Sequence, residues 1–244
     1  MSTERIYKTV LQVAEAFHQQ RPFQDHLDIG AGSGQLLRLA RERFGCAPRA
    51  CDYTDKFLQL QGTKVDVANL NNESLPYADC SFDLVTATEV IEHLSRFRDL
   101  IAEIYRVMRP GGVCILSTPN ILNINSRLRF LAFGFWNLFG PLPVGGGLET
   151  TRGHINPISA FYIAHALAES GFQEPRFTVD KFQRSGIFKL VLWWPWIKLF
   201  GALHWWREEN KYHTLDAFNR PLVRAMNSVP ILLGRTLIIS ARKP

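Results

Sequence analysis

The sequence predicts an α/β fold in which helices cover both faces of a mostly parallel sheet. Short apolar runs of strand type alternate with amphipathic stretches over the first half of the chain. A glycine-rich turn joins the first of these runs to a helical stretch. The chain has 244 residues, of which 46% are hydrophobic, so it can bury a sizeable core. We expect a doubly wound sheet of seven strands, closed by one antiparallel strand.

The first half of the chain alternates strands and helices in a regular order. It begins with an amphipathic helix that places Ile6, Val10, Val13 and Phe17 at helical spacing. Strands are predicted over 26–29, 48–52, 63–67, 82–87 and 113–118. Helices are predicted over 35–44, 56–60 and 91–107. Because helical crossovers join parallel strands, this order favours a parallel sheet.

The second half of the chain is less regular and carries two insertions. A helix is predicted over 157–170, and two closing strands over 176–182 and 234–242. We interpret residues 1–244 as one domain with a helical, aromatic cap made of insertions at about 120–156 and 183–233. The first closing strand is expected to run parallel to the others, so both insertions leave the sheet edge where ligands bind. The glycines Gly145–Gly147 are interpreted either as a moving lid or as a plain surface connection.

Charge and cysteine content limit the classes of partner. The net charge of +6 favours acidic partners, but the cations are scattered, which makes nucleic acid an unfavoured partner. The cysteines lack the C-x-x-C spacing of a zinc site and have apolar neighbours, so we expect reduced core thiols in a cytoplasmic protein. They are Cys46, Cys51, Cys80 and Cys114. The polar start of the chain predicts no signal peptide, and we expect no membrane-spanning helix.

The stretch from Asp28 to Gly34 combines a strand end with three glycines at alternate positions. Glycine weakens strands and helices, so the pattern indicates that a ligand approaches the bare backbone and the first amides of the next helix. The next strand ends at Asp52, where a carboxylate can accept hydrogen bonds from both ribose hydroxyls of a nucleotide-like cofactor.

Four motifs carry a family resemblance. The stretches "HLDIGAGSG", "ACDYTD", "LPYADCSFDLVTATEVIEHL" and "RVMRPGGVCILSTPN" occur in this order. Together they resemble the core motifs of class I S-adenosylmethionine-dependent methyltransferases over residues 23–120. Within this class, the sequence is most similar to the ubiquinone-biosynthesis O-methyltransferase type, which shares the E-x-x-E-H stretch. The resemblance implies a Rossmann-like fold, S-adenosylmethionine as cofactor and methyl transfer as activity.

The resemblance also implies which residues hold the cofactor. The glycine turn would line its methionine part, Asp52 its ribose, and Tyr53, Asp66 and Val67 its adenine. Thr88 would lie at the edge of the reaction centre. The implied cofactor-binding residues are Asp28, Gly30, Ala31, Gly32, Gly34, Asp52, Tyr53, Asp66, Val67 and Thr88.

The stretch "TEVIEHL" offers candidates for the chemistry. Glu89, Glu92 and His93 stand at i, i+3 and i+4, so a helical turn would place them on one face. Such a set can bind a divalent cation such as magnesium, which lowers the pKa of a coordinated hydroxyl. His154 is a candidate fourth ligand. The alternative is metal-free catalysis, with His93 or His154 as general base and Glu89 at the reaction centre.

The insertions bear on the methyl acceptor. We expect transfer to a small or lipophilic acceptor, with oxygen as the acceptor atom; the alternatives are a non-catalytic cofactor-binding subunit and an RNA methyltransferase. The second insertion holds five of the six tryptophans beside Lys189, Lys198 and Arg207. This composition suits a segment lying flat on a membrane, with a lipid-linked acceptor, or equally a cap packed on the core. Pro195 predicts a break in any helix here.

Overall fold

The computed structural model describes residues 2–144 and 153–244, so the Gly145–Gly147 loop lies outside the described residues. Its centre is a seven-stranded sheet of order β3-β2-β1-β4-β5-β7-β6, in which β7 is antiparallel to both neighbours and the other pairs are parallel. The predicted fold is confirmed. The strands are β1 Asp25–Ile29, β2 Ala47–Asp52, β3 Val65–Val67, β4 Phe82–Thr88, β5 Met108–Pro119, β6 Gln173–Val179 and β7 Thr236–Arg242.

Helices cover both faces of the sheet. They are α1 Ser2–His18, α2 Gln35–Phe44, α3 Phe97–Val107, α4 Ile124–Phe133, α5 Ala160–Glu169, α6 Arg184–Arg207, α7 Asn219–Ala225 and α8 Val229–Leu233. Successive strand residues point to opposite faces. Leu84 therefore packs with α1 and α2, whereas Val85 packs with α3 and α5. This alternation gives two core layers, one on each face.

The ends of the central strands meet at one edge of the sheet. Ile29 of β1 pairs with Cys51 of β2 on one side and with Ala87 of β4 on the other. The next residues along these strands, Gly30, Asp52 and Thr88, therefore share the carboxyl edge. Because β6 runs parallel to β5, the segments after β5 and β6 also leave from this edge, as predicted.

The predicted helix over 56–60 is wrong. This segment forms turns in which the amide of Gln59 donates to the carbonyl of Ser33 over 3.1 Å. Leu58 and Leu60 pack directly on Gly34. These contacts hold the segment against the glycine turn. Its backbone bonds to that turn and does not form the hydrogen bonds of a helix.

The predicted helix over 91–107 is interrupted. One 3-10 turn, Ile91–His93, precedes α3. The carbonyl of Glu92 accepts the amides of Ile155 and Asn156, each at 3.0 Å, and the amide of Ser95 donates to Asn71 Oδ1 at 3.0 Å. These bonds occupy groups that a continuous helix would pair four residues apart.

Two further expectations are wrong. Helix α6 continues through Pro195 for 24 residues, and the proline ring lies on the exposed side of the helix, where it meets no packed neighbour element of the described chain. The helical segment Arg184–Tyr212, which includes α6, is long and apolar enough to cross a membrane, judged by length and composition alone. Cys80 is exposed, whereas the other three cysteines are buried free thiols as expected.

Candidate functional site

The glycine turn after β1 requires glycine at two positions for the fold itself. Gly30 and Gly34 have φ of 70° and 77°, and a Cβ added at either would lie 2.4 Å from Val90 Cγ2 or 2.7 Å from Leu58 Cδ1. Gly32 differs, because a Cβ there would meet no described atom within 4 Å although φ is 51°. The backbone at Gly32 therefore faces open space, as a ligand cradle requires.

Asp52 at the end of β2 is fixed beside this turn. The carboxylate is buried and accepts the amide of Gly32 at 2.9 Å and the amide of Tyr53 at 2.8 Å. Apolar side chains adjoin it: Tyr53 is 42% and Phe57 53% exposed, with ring centroids 6.4 Å apart, and Val67 pairs with Asp52 across the strands. The buried carboxylate of Asp52 therefore lies next to the exposed rings of Tyr53 and Phe57.

A buried hydrogen-bonded chain lies beneath the turn. The hydroxyl of Thr86 donates to Asp28 Oδ1 at 2.6 Å and accepts from His26 Nε2 at 2.8 Å. Burial raises the pKa of Asp28 to about 7, and the charge of Asp52 adds to this effect. Burial lowers the pKa of His26 to about 3, so its ring is neutral near pH 7. Thr86 and His26 were not among the sequence candidates.

Tyr7 of α1 reaches the same edge and was also missed. Burial, followed by the charges of Asp28 and Glu89, raises the pKa of its hydroxyl to about 12. Tyr7 is therefore a neutral donor near both carboxyls. Its position next to Ile6 in the apolar stripe of the first helix was the available signal, but nothing in the sequence indicated which strand ends this helix covers.

Glu89 follows β4 in a strained conformation, with φ of 57°. The backbone amide donates to the carbonyl and the hydroxyl of Ser117, and that hydroxyl donates to Glu89 Oε1 at 3.1 Å. Burial raises the pKa of Glu89 to about 7; Asp180 adds to the shift, whereas Arg235 opposes it. This carboxyl therefore changes its protonation state near neutral pH.

The structure assembles a different metal-ligand set from the predicted one. Ligand atoms of Glu92, His93 and His154 all lie within 4.8 Å of one another. Glu89 is not part of this set, which corrects the predicted trio of Glu89, Glu92 and His93. The reason is the broken helix: a strained residue and a single 3-10 turn cannot place positions i, i+3 and i+4 on one α-helical face.

The three groups of this cluster have atoms free to bind a ligand. Glu92 is fully buried, and among the described residues neither of its carboxylate oxygens has a hydrogen-bond partner. His93 Nδ1 donates to the Gly153 carbonyl at 3.0 Å, which leaves Nε2 as the acceptor nitrogen. Burial, then His93, lowers the pKa of His154, which keeps that imidazole neutral. Neutral imidazoles and a carboxyl can bind a cation or accept a proton.

The structure brings most of the predicted residues to one edge. The glycine turn, with buried Ala31 inside it, lies beside Asp52, Tyr53 and Val67, and Val90 joins it to the Thr88–Glu89 strand end. Asp66 is the exception. It pairs with Cys51 on the neighbouring strand, and its carboxylate lies 3.7 Å from Arg49 Nε. Its assigned contact with adenine stays a prediction.

Known proteins resemble the chain over this part. A family described as a methyltransferase domain matches residues 27–116. The ubiquinone biosynthesis O-methyltransferase of Parvibaculum lavamentivorans is 32% identical over 51% of the chain, and the ubiquinone/menaquinone biosynthesis C-methyltransferase of Cereibacter sphaeroides is 30% identical over 38%. The chain spans 52% and 41% of the lengths of these proteins.

A solved structure supports the whole architecture. The S-adenosylmethionine-dependent methyltransferase of Archaeoglobus fulgidus superposes with a TM-score of 0.60 over 98% of this chain and 94% of that one, at 16% identity. The match shows a common Rossmann-like fold. It agrees with the family match to residues 27–116, which contain the glycine turn and Asp52. Residues 27–116 therefore match a methyltransferase domain in sequence, and the chain as a whole shares the Rossmann-like fold of S-adenosylmethionine-dependent methyltransferases.

Proposed function

We propose that this chain transfers the methyl group of S-adenosylmethionine to an acceptor oxygen. The observation that carries the proposal is the shared edge itself. A bare backbone and a buried carboxylate lie on one side, and a cluster of two imidazoles and one carboxyl lies on the other. The O-methyltransferase relative matches a longer part of the chain than the C-methyltransferase relative.

The residues present fit the cofactor. The open space at Gly32 admits a ligand against the backbone. Asp52 already accepts one bond at each oxygen and retains lone pairs for ribose hydroxyls. Tyr53 and Phe57 offer exposed ring faces for adenine. When bound, the cofactor supplies a methyl group that its positively charged sulfur has already activated.

The protein's task in such a reaction is alignment and proton removal. A hydroxyl acceptor must lose its proton as its oxygen forms the new bond to carbon and the carbon–sulfur bond breaks. His154, whose pKa burial lowers, and His93 are held beside the strand end, with His93 oriented by the Gly153 carbonyl. General base catalysis by a positioned imidazole contributes about 10²- to 10⁴-fold to rate.

A divalent cation is the second part of the proposal. Glu92, His93 and His154 would hold it, and it would lower the pKa of an acceptor hydroxyl bound to it. Two imidazoles and one carboxylate suit manganese, iron or zinc better than magnesium, which prefers oxygen ligands. This donor set therefore shifts the expectation away from magnesium.

The test follows labelled methyl from S-adenosylmethionine into phenolic quinol precursors, glycolipids and RNA. We expect label in an oxygen ether of a small or lipid-linked acceptor and stoichiometric formation of S-adenosylhomocysteine. Cofactor binding without product from any class would favour a non-catalytic binding subunit. Strong, salt-dependent transfer to RNA would favour an RNA methyltransferase.

The cation is tested separately by metal analysis. The purified protein should retain manganese, iron or zinc after dialysis, and His154→Ala should lose it. His165→Ala is the matched control, because it removes a half-buried histidine that lies on α5 and is not part of the cluster. Full turnover in the presence of a chelator, with no retained metal, would leave the imidazoles as general bases alone.

The cell compartment and the physical form of the acceptor complete the proposal. We infer a cytoplasmic enzyme that acts on a small or lipid-linked acceptor. The two insertions support a lipid-linked acceptor, because both leave the carboxyl edge and carry exposed aliphatic and aromatic side chains. Fractionation of cells that express the chain would test the location, with the protein expected in the cytosol and on the inner face of a membrane.

A further inference from the structure

Helix α6 exposes an apolar strip along its full length. At about 100° per residue, Phe188, Leu192, Pro195, Leu199 and Trp206 fall within about 60° of one another. Phe188 is 77%, Leu192 60%, Leu199 59% and Trp206 58% exposed. Large side chains of this kind are normally buried, so a continuous strip of them marks an interaction surface.

The opposite side of α6 is fixed to the domain. Leu190 is buried and packs with Ile124 of α4 and with Leu232 and Leu233 of α8. Lys189 Nζ also donates to Asn125 Oδ1 at 2.8 Å. The helix therefore cannot leave the domain without uncovering the apolar side chains of α4 and α8 against which Leu190 packs.

Positive charges flank the strip on both sides. Lys189 and Arg207 lie about 90° to one side of its centre and Lys198 about 90° to the other. The helix from Arg184 to Arg207 contains four Lys or Arg residues and no Asp or Glu. Lys198 Nζ lies 4.5 Å from the centre of the Trp194 ring. Apolar centre, cationic flanks and tryptophans are the arrangement of a helix lying in the interface of a bilayer.

Helix α4 carries exposed apolar side chains of its own. It packs against α6, and near its end Leu131 is 73% and Phe133 60% exposed. Arg129 lies over the Phe133 ring at 5.4 Å. Exposed apolar side chains with a cation beside them therefore occur on both helices.

We propose that α6 docks the protein onto an anionic lipid bilayer, with the helix lying flat in the headgroup region. Charge decides between this occupant and a second copy of the chain. Pairing two α6 helices would bring unbalanced cations together, whereas anionic headgroups supply the opposite charge. Docking would also bring the carboxyl edge near the membrane, because α6 begins four residues after Asp180, whose charge acts on Glu89.

The test is flotation of the full chain with vesicles of phosphatidylcholine, alone or in a 7:3 mixture with phosphatidylglycerol. We expect at least about tenfold stronger binding to the mixture, weakening at high salt. Leu192→Glu/Leu199→Glu should lose the binding. The matched control is Tyr162→Glu/Ala102→Glu, which changes the charge equally at two exposed residues of α5 and α3 and should bind like the wild type. Binding does not require methyl transfer, so this test is independent of the proposed activity.

Several results would overturn the proposal. Absence of wild-type flotation on either vesicle would do so, as would equal binding to both compositions. A wild-type dimer that Leu192→Glu/Leu199→Glu converts to monomer, with no vesicle binding, would assign the surface to a second copy. Bound protein that resists alkaline carbonate would indicate a spanning helix. The comparison of vesicle compositions uses only the wild type, so it stands even if a variant misfolds.

Discussion

The two sides of the carboxyl edge are built in different ways. On the cofactor side, Gly32 in the turn after β1 donates its amide directly to Asp52 at the end of the neighbouring strand β2. On the acceptor side, Glu92 and His154 come from distant parts of the chain and meet because the Glu92 carbonyl accepts the amides of Ile155 and Asn156. The first side is a property of local sequence, whereas the second depends on tertiary contacts.

This difference teaches which part of the site is general and which is particular. A cofactor common to many enzymes is held by backbone and one carboxylate, which many sequences of this fold can supply. The acceptor side uses His154 from the end of the first insertion. Changes on the two sides should therefore have separable effects, one on cofactor affinity and one on turnover.

The largest effect is expected from His154→Ala. Removing this imidazole takes away a general base or a metal ligand, so turnover should fall by about 100-fold or more. Affinity for S-adenosylhomocysteine, measured by calorimetry, should stay unchanged because the cofactor side is intact. His165→Ala should alter neither quantity. Loss of cofactor affinity in His154→Ala would break the separation between the two sides.

A smaller effect is expected from Asp52→Ala on the cofactor side. The variant loses a charged hydrogen-bond acceptor for ribose and for the Gly32 amide, so S-adenosylhomocysteine affinity should fall by about ten- to a hundredfold. Asp55→Ala removes an exposed carboxylate three residues along the chain and should bind normally. Equal affinities in both variants would remove Asp52 from the assigned site.

A separate effect, which does not involve ligand binding, concerns the pH dependence of stability. The folded-state pKa of His26 is lowered from 6.5 to about 3, so below pH 6.5 the unfolded chain binds a proton that the folded chain does not. Stability from this group is lost as pH falls from 6.5 towards 3, by up to about 1.4 kcal/mol per pH unit. His26→Gln keeps a donor for Thr86 without titrating.

Urea unfolding of both proteins between pH 7 and pH 4 measures this difference. The free energy of unfolding of the wild type should fall more steeply than that of His26→Gln. Asp28 acts in the opposite direction, because its raised pKa of about 7 favours the folded state as pH falls. It contributes to both proteins, so the difference isolates His26. Parallel curves would show that His26 is not held neutral by burial.

The sequence predicted the parts of the molecule that local patterns determine. The strand–turn–helix around Gly32, the strand ending in Asp52 and the parallel order of the sheet follow from glycine spacing and apolar runs. The break in the predicted helix after His93 does not follow from local patterns. It depends on the amides of Ile155 and Asn156, which donate to the carbonyl of Glu92. Tertiary hydrogen bonds override local helix propensity at this point.

The errors in α6 have a different cause. Pro195 indicates a break when only hydrogen bonding along the chain is considered, but its ring lies on the exposed side of a helix that packs through Leu190. The direction of the helix face relative to the domain decides the outcome, and a single sequence does not contain it. Tyr7 was missed for the same reason. A single sequence does not show that α1 places this residue near Asp28 and Glu89.

The central claim is that the cofactor, and not packing within the protein, needs the space beside the backbone at Gly32. Gly32→Ala and Gly45→Ala make a matched pair, because both glycines have positive φ (51° and 69°) and neither added Cβ meets a described atom within 4 Å. Each should lose about 1 to 2 kcal/mol of stability. Calorimetry with S-adenosylhomocysteine should show affinity at least about tenfold weaker in Gly32→Ala and unchanged in Gly45→Ala. Wild-type affinity in Gly32→Ala would contradict the account.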